Sequence, residues 1–447
     1  MSRIAVIGAG ASGLAAAVAA AECGADVTVF EASSRAGRPI LATGNGRCNL
    51  TNTHIARGPS PAVSPSQPAV SPSPLDSPLP GISPETASAY SAPSFVAPAL
   101  AAHDCTELLE WFWRLGLATV VDTGGMDGGG GRVYPLSRTA QTVVDVLLAA
   151  CDRLGARIVC DRRIESIAPG SGIWTDFDAV IACTGGTSRL LETAGHTFAP
   201  QVPVLCPLAT DTAPIQGLSG VRVRAQVTVR PSREFGEGCE SGGPRVPAAP
   251  KFSEPGEVLF RDYGVSGVVI FDASRYAQAG DILELDLLPS VGERELADAL
   301  VDRARRLGPK PTAEEVLRGL WHERVCQAIQ RAADDDEHTY DESAYDESAY
   351  DESAYDESAY DARAARTAYV AKHFRLRVEG PADTRHAQVT RGGAKLSEFD
   401  PQTMESRLVP HLHAAGETLD VDARCGGYNL HWAWSSARQA AEHATSA

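Results

Sequence analysis

The run Ile4-Ala-Val-Ile-Gly-Ala-Gly-Ala-Ser-Gly13 sets a glycine-rich turn directly behind a short apolar strand, and Glu31 closes a second apolar strand eighteen positions beyond Gly13. That is the spacing of a βαβ unit that wraps a dinucleotide. Gly8 permits the tight turn, Gly10 lets backbone approach a pyrophosphate, and Gly13 allows close helix–strand packing. Ala9 and Ser12 complete the turn, and the free N–H groups at the start of the following helix offer an anion a partly positive site. Glu31, followed by Ala32, is placed to accept hydrogen bonds from ribose hydroxyls. A second strand-end, Asp178-Ala-Val-Ile-Ala-Cys-Thr-Gly-Gly186, presents Thr184, Gly185 and Gly186 where an α/β sheet meets its ligand.

These residues need elements to hold them, and 447 residues allow two or three domains with a substantial core. The opening strand begins almost at Met1 without a basic, apolar, cleavable leader, and no stretch approaches eighteen uninterrupted apolar residues. A cytoplasmic location without membrane spanning is expected. Ten cysteines include no CxxC pair and no Cys/His group at zinc spacing, so no metal site is expected, and Cys23, Cys151, Cys160 and Cys183 read as core thiols. The net charge of −17 is concentrated: residues 334–362 hold thirteen acids and no Lys or Arg, leaving 44 acids against 40 bases elsewhere. A nearly balanced body does not support direct nucleic-acid binding.

Two segments read as lying outside the fold. Residues 57–98 are dominated by Pro, Ser and Ala and are expected to be an extended excursion. Four Asp-Glu-Ser-Ala-Tyr units fill 341–360, with a period of five that matches neither helix nor strand. They read either as an expansion tolerated in a loop spanning 334–362 or as a partner-binding or phosphorylatable segment through Tyr345, Tyr350, Tyr355 and Tyr360.

Elsewhere periodicity predicts helices over 104–116 and 137–154, the latter capped by Ser137, and a strand over 157–161. From about 200 the texture becomes alternating, with strands at 221–229, 256–260 and 268–271 and helices near 293–307 and 312–331. A final helix begins near Gly427. The chain divides as a nucleotide domain in two parts, 1–199 and 371–447, with a β-rich and helical domain inserted at 200–370.

Four blocks then resemble a known family. They are Ile7-Gly-Ala-Gly-Ala-Ser-Gly-Leu14, residues 37–52 (GRPILATGNGRCNLTN), Val389-Thr-Arg-Gly-Gly-Ala394 with Thr403-Met-Glu-Ser406, and residues 415–430 (AGETLDVDARCGGYNL). The chain is similar to the bacterial HI0933-like flavoproteins, also called BaiN/YhiN-like or aminoacetone oxidase family FAD-binding enzymes. The resemblance implies an α/β fold: a glutathione-reductase-type, FAD-binding Rossmann-like domain with an inserted mixed domain of β strands plus a small helical part. It places Arg38, Asn45, Gly46, Arg47, Cys48 and Asn49 beside the diphosphate and ring system, and Gly416, Glu417 and Asp422 near the ribityl chain. Gly426, Gly427, Tyr428, Asn429 and Leu430 bring a helix N-terminus to the pyrimidine side. Donors there would stabilise reduced flavin, which carries negative charge near N1 and the C2 carbonyl.

The implied function is an FAD-dependent oxidoreductase, with NADH or NADPH as a transient reductant because only one full nucleotide fingerprint is present. Two reactions are open: reduction of an activated enone, with Tyr428 or Tyr263 supplying a proton, and oxidation of a small amino ketone. A flavoprotein acting as redox sensor or binding module, and an RNA-modifying flavoenzyme, are the competing classes. The expected partner is a small-molecule substrate; no protein partner is indicated.

Overall fold

In a computed structural model, residues 1–56, 82–122, 130–232, 249–308, 311–334, 357–384 and 387–446 are described. They form two units: Met1–Pro203 with Gln388–Ala447, and Val204–Ala387.

The first unit is built on a five-stranded parallel sheet. Its order is Leu412–Ala414, Ala179–Ala182, Arg3–Ile7, Asp26–Phe30, Arg157–Val159. Ile4–Ile7, Val27–Val29 and Ala179–Ala182 are buried, which is why Ile4–Ile7 and Ala179–Ala182 read as continuous apolar runs. The Ala-rich helix Ala11–Glu22 follows the first strand, and its small side chains let the C-terminal helix Tyr428–Ala444 pack against it. A three-stranded antiparallel sheet, Thr51–Asn52, Arg132–Pro135 and Thr119–Asp122, flanks this core.

The second unit is a closed six-stranded antiparallel barrel. Around it run Arg222–Arg230, Phe252–Arg261, Gly264–Ser266, Leu208–Thr210, Phe374–Pro381 and Ile282–Asp286. Helices Glu293–Leu307, Ala313–Leu317, Glu323–Asp334 and Glu357–Lys372 complete it. Among the described residues no helix is long and apolar enough to cross a membrane.

Several expectations are corrected. Residues 371–387, expected in the nucleotide domain, belong to the second unit, where the strand Phe374–Pro381 is a barrel stave: Phe374, Leu376 and Val378 alternate inward, and the strand closes the ring between Ile282–Asp286 and Leu208–Thr210. Within 57–98 the helix Pro84–Ala89 forms and the helix Pro93–Ala102 begins, each with proline in its first turn, where no N–H is needed. Ser83 caps the first, and Val96, Ala97, Ala99 and Leu100 bury the second. Residues 57–81 and 335–356, with Tyr345, Tyr350 and Tyr355, lie outside the described residues, as does the Tyr360 side chain; the loop expected to reach 362 gives way to helix at Glu357. Thr139, not Ser137, caps the helix Ala140–Leu154. Val268–Ser274 is a helix instead of a strand, the usual ambiguity of a short apolar run. The stretch 312–331 breaks into two helices around Gly319, whose φ is 87°. Cys23 is exposed at a helix end, while Cys151 and Cys183 are buried.

Candidate functional site

The three turn glycines have different reasons to be glycine. A Cβ on Gly8 would lie 2.4 Å from the Cys183 carbonyl oxygen, and one on Gly13 would lie 1.8 Å from the Gly8 oxygen. Both are therefore demanded by backbone packing. A Cβ on Gly10 would meet nothing nearer than Pro39 Cγ at 3.8 Å, and its φ of −80° suits any residue. The protein itself does not need glycine there; a ligand lying against the turn would. Gly10 begins the helix Ala11–Glu22 with no side-chain cap, so its first-turn N–H groups are open to an anion.

Beside this turn the Glu31 carboxylate is held by three donors. Ala9 N–H donates to Oε2 at 2.8 Å, and Ser33 N–H and Oγ donate to Oε1 at 2.7 Å each. Burial works against ionisation, but these hydrogen bonds prevail and hold its pKa below the usual carboxylate value. Ionised and fixed, Glu31 retains lone-pair capacity for ribose hydroxyls. Ala32 is exposed beyond it.

The loop carrying Arg38, Asn45, Gly46, Arg47, Cys48 and Asn49 is strained. Asn45 (φ 54°) and Cys48 (φ 56°) adopt left-handed backbone although neither is glycine, as do Gly44 and Gly46. Such a sequence of left-handed residues persists where the surroundings impose it. The Cys48 thiol is buried, which pushes its pKa up to about 12, so it does not supply a thiolate. Arg38 is exposed, and Arg47 lies 5.4 Å from the Tyr134 ring centroid, a ring also approached by Arg138 at 5.0 Å. Asn49 Oδ1 is buried with no hydrogen-bond partner among the described residues, 3.0 Å from where a Gly427 Cβ would stand. Thr184 Oγ1, beside Gly8, is a second buried oxygen without a partner among them. Orphaned polar atoms of this kind call for a ligand or water.

Gly186 comes so close to Thr390 and Glu417 that a Cβ would lie 2.7 Å from Thr390 Cβ and 3.2 Å from Glu417 Oε2. Burial, reinforced by Asp422 and opposed by the N–H groups of Gly186 and Thr390, pushes Glu417 up to about 7. Gly416, at φ 65°, sits over Ser12 with no room for a side chain. Asp422, expected beside a ribityl chain, has both oxygens engaged by Arg391, from Nε at 2.9 Å and Nη2 at 3.1 Å.

The turn Gly426-Gly427 opens the C-terminal helix. Gly427 has φ 99°, and a Cβ there would stand 2.5 Å from the Thr51 carbonyl oxygen. No side chain caps this helix, and the N–H groups of Asn429 and Leu430 are open donors of its first turn. The Asn429 side chain does not join them. Its Oδ1 accepts from Ala423 N–H and its Nδ2 donates to the Ala423 carbonyl, both at 2.8 Å, so it clamps the incoming loop. Tyr428 is buried, Leu430 packs partly against the core, and Tyr263 is half-exposed at a barrel turn of the second unit.

Sequence reasoning missed the side chains that anchor the site from behind. Asn52 Nδ2 donates to the Gly426 carbonyl at 3.0 Å, Thr51 Oγ1 meets His431 Nδ1 at 2.7 Å, Trp434 Nε1 donates to Leu50 O at 3.1 Å, and Ser436 Oγ accepts from Gly416 N–H at 2.9 Å. The available signal was a helix buried all round yet carrying His431, Ser435, Ser436, Arg438 and Gln439. A further cluster links Ser406 Oγ to His196 Nε2 (2.9 Å) and His196 Nδ1 to Glu398 Oε2 (2.8 Å). Ser406 Oγ is buried and also accepts from the N–H groups of Leu408 and Val409, so it is a turn anchor and not a nucleophile. No group of residues able to hold a metal ion occurs among the described residues.

The family model described as HI0933-like protein Rossmann domain matches residues 2–62 and 83–443. The chain is 29% identical to the 3-dehydro-bile acid delta(4,6)-reductase of Clostridium scindens, covering 98% of this chain and 97% of that protein. It is 26% identical to the ribosomal RNA dihydrouridine synthase of Haemophilus influenzae, covering 97% and 96%. Among solved structures it is similar to the 3-ketosteroid-delta4-(5alpha)-dehydrogenase from Rhodococcus jostii RHA1, with 15% identity, 99% and 96% coverage and a TM-score of 0.44.

Proposed function

This chain belongs to the HI0933-like family of Rossmann-domain proteins, and from that premise we propose that it is a cytoplasmic FAD-dependent oxidoreductase. It reduces a carbon–carbon double bond conjugated to a carbonyl group and draws on NADH or NADPH. The observation that carries the cofactor reading is the pair of uncapped helix starts at Gly10 and Gly427 in one unit, with the orphaned Thr184 Oγ1 and Asn49 Oδ1 beside the two glycine turns. These residues fit FAD in donor type: open N–H groups for phosphate and for the electron-rich pyrimidine edge, an ionised carboxylate for ribose, and a glycine at position 10 that no protein contact requires.

When bound, FAD supplies hydride transfer at its N5. The chain's own groups do the rest. The first-turn N–H groups of Ala11–Gly13 would hold the pyrophosphate, Glu31 would hold the ribose, and those of Asn429 and Leu430 would stabilise negative charge on the flavin. Gly46, Arg47 and Asn49 line the ring side. Tyr428 Oη delivers the proton to the substrate carbon next to the carbonyl.

The relatives support the reaction class through their names. A delta(4,6)-reductase of a 3-dehydro-bile acid and a synthase of dihydrouridine both saturate a double bond conjugated with a carbonyl. The two substrates differ in charge demand. With 44 acidic against 40 basic residues outside the acidic run, the chain suits a small enone better than ribosomal RNA. Anaerobic mixing of the purified protein with NADH and NADPH tests the proposal. Rapid bleaching of bound flavin, with slow recovery in air and fast recovery on adding a conjugated enone, is the expected result. Absence of bleaching by either nucleotide would favour an amine oxidase or a non-catalytic flavoprotein. Salt-sensitive binding of ribosomal RNA together with uridine reduction would replace the small-molecule substrate.

A further inference from the structure

The loop that leads into the C-terminal helix is gripped by a segment that sequence reasoning left outside the fold. Residues Ala89–Ser91 run antiparallel to 422–424. Arg424 N–H donates to Ala89 O at 3.0 Å, Ser91 N–H donates to Asp422 O at 2.8 Å, and Asp422 N–H donates back to Ser91 Oγ at 3.0 Å. Between them Tyr90 is buried, its ring edge-on to Tyr428 at 6.0 Å, and its Oη donates to the Tyr428 carbonyl at 2.9 Å.

That last hydrogen bond falls at a sensitive place. Tyr428 is the first helical residue after Gly427, and its carbonyl belongs to the same rigid plane as the Asn429 N–H. In a trans peptide the two point in opposite directions, so a donor fixed on the carbonyl fixes where the N–H aims. Burial and the neighbouring Tyr428 push the Tyr90 phenol well above its usual pKa, so it remains a donor across the physiological range. The Asn429 side chain, closed on Ala423, ties the same loop from the helix side.

We infer that Ala89–Ser91 is part of the flavin site and that Tyr90 is a positioning residue, which acts through the Tyr428 carbonyl to aim the first-turn N–H groups at the flavin. The inference rests on the FAD reading above. Tyr90→Phe keeps the ring and removes only the donor; Ser91→Ala removes the acceptor of Asp422 N–H at the other end of the contact.

The test uses full-length protein stripped of flavin and titrated with FAD, followed by measurement of the bound flavin's midpoint potential. For Tyr90→Phe the FAD dissociation constant is expected to rise about fivefold, the scale of one neutral hydrogen bond, and the potential to become more negative. Ser91→Ala is expected to move both in the same direction, and it decides the matter if Tyr90→Phe does not fold. Wild-type affinity and potential in the folded variants, or a change in melting temperature alone, would overturn the inference. Failure of the wild-type chain to bind FAD would instead remove the flavin reading, and this role with it.

Discussion

Gly10 and Gly13 are separated by three positions yet should fail in opposite ways when changed to alanine. At Gly13 the new methyl would stand 1.8 Å from the Gly8 carbonyl oxygen and 2.8 Å from its carbon, both backbone atoms. Ordinary contact would require the helix Ala11–Glu22 to withdraw from the sheet by about 1.5 Å. Overpacking of that kind costs about 3 kcal/mol or more, which is roughly 6–12 °C in melting temperature for a unit of this size. At Gly10 the methyl would meet only Pro39 Cγ at an ordinary 3.8 Å, and the φ of −80° is unstrained. The apoprotein melting point of Gly10→Ala should therefore stay within the effect of about 1 kcal/mol expected for an altered helix cap. FAD affinity should nevertheless fall, because the methyl stands between the turn and the pyrophosphate. Loss of one charge-assisted hydrogen bond, about 1.5–3 kcal/mol, corresponds to a roughly 10- to 150-fold weaker dissociation constant. Thermal melts of both apoproteins and fluorescence titrations with FAD separate the two effects. If Gly10→Ala binds FAD as tightly as wild type, or melts as early as Gly13→Ala, the assignment of Gly10 to the cofactor is wrong.

Three further outcomes follow from the charges and hydrogen bonds. Glu417 has its pKa raised in the folded state to about 7, so its protonated form favours folding at low pH and this contribution is lost as pH rises from about 4.5 through 7. Glu417→Gln should match wild type at pH 4.5 and be more stable at pH 8.5 by as much as about 3 kcal/mol; equal melting temperatures at both pH values would contradict the burial argument. Glu107 is the opposite case: burial opposes its ionisation, but His103 and Arg438 hold it down at about 2. Its contribution is present above pH 4.5 and lost as pH falls toward 2, and Arg438→Ala, which strands the partly buried carboxylate, should cost about 3 kcal/mol in a denaturant melt at pH 7. Ser406→Ala should cost about 1–3 kcal/mol, because the N–H groups of Leu408 and Val409 lose their acceptor, while flavin affinity and turnover remain unchanged. A selective loss of turnover would instead give the His196–Ser406 pair a chemical role.

Local physics made much of the first unit legible. The strand segments Ile4–Ile7 and Ala179–Ala182 are continuous apolar runs because both sheet faces are covered, and the helices Cys105–Leu115 and Ala140–Leu154 show the 3.6-residue period of one buried face. Where local signals were ambiguous, packing decided. Val268–Ser274 has the composition of a strand but leaves Gly267 as a helix, and prolines that suggested an extended chain instead begin Pro84–Ala89 and Pro93–Ala102. The barrel stave Phe374–Pro381 was placed with the wrong domain, since a strand carries no mark of the partners that close its edges.

The same division holds at the site. By itself the sequence determined the glycine turn at 8–13, the acidic strand end at Glu31 and the double glycine before the last helix, because each is a pattern of residue types at short spacing along the chain. Tertiary structure alone decided which of these glycines serves packing and which is left free for a ligand. It alone committed Asp422 to Arg391 and Asn429 to Ala423, joined Thr51 to His431 across 380 positions, and set Tyr90 on the carbonyl of Tyr428 across 338. A hydrogen bond is selected by distance and angle in the folded chain, and over such separations no local pattern encodes either.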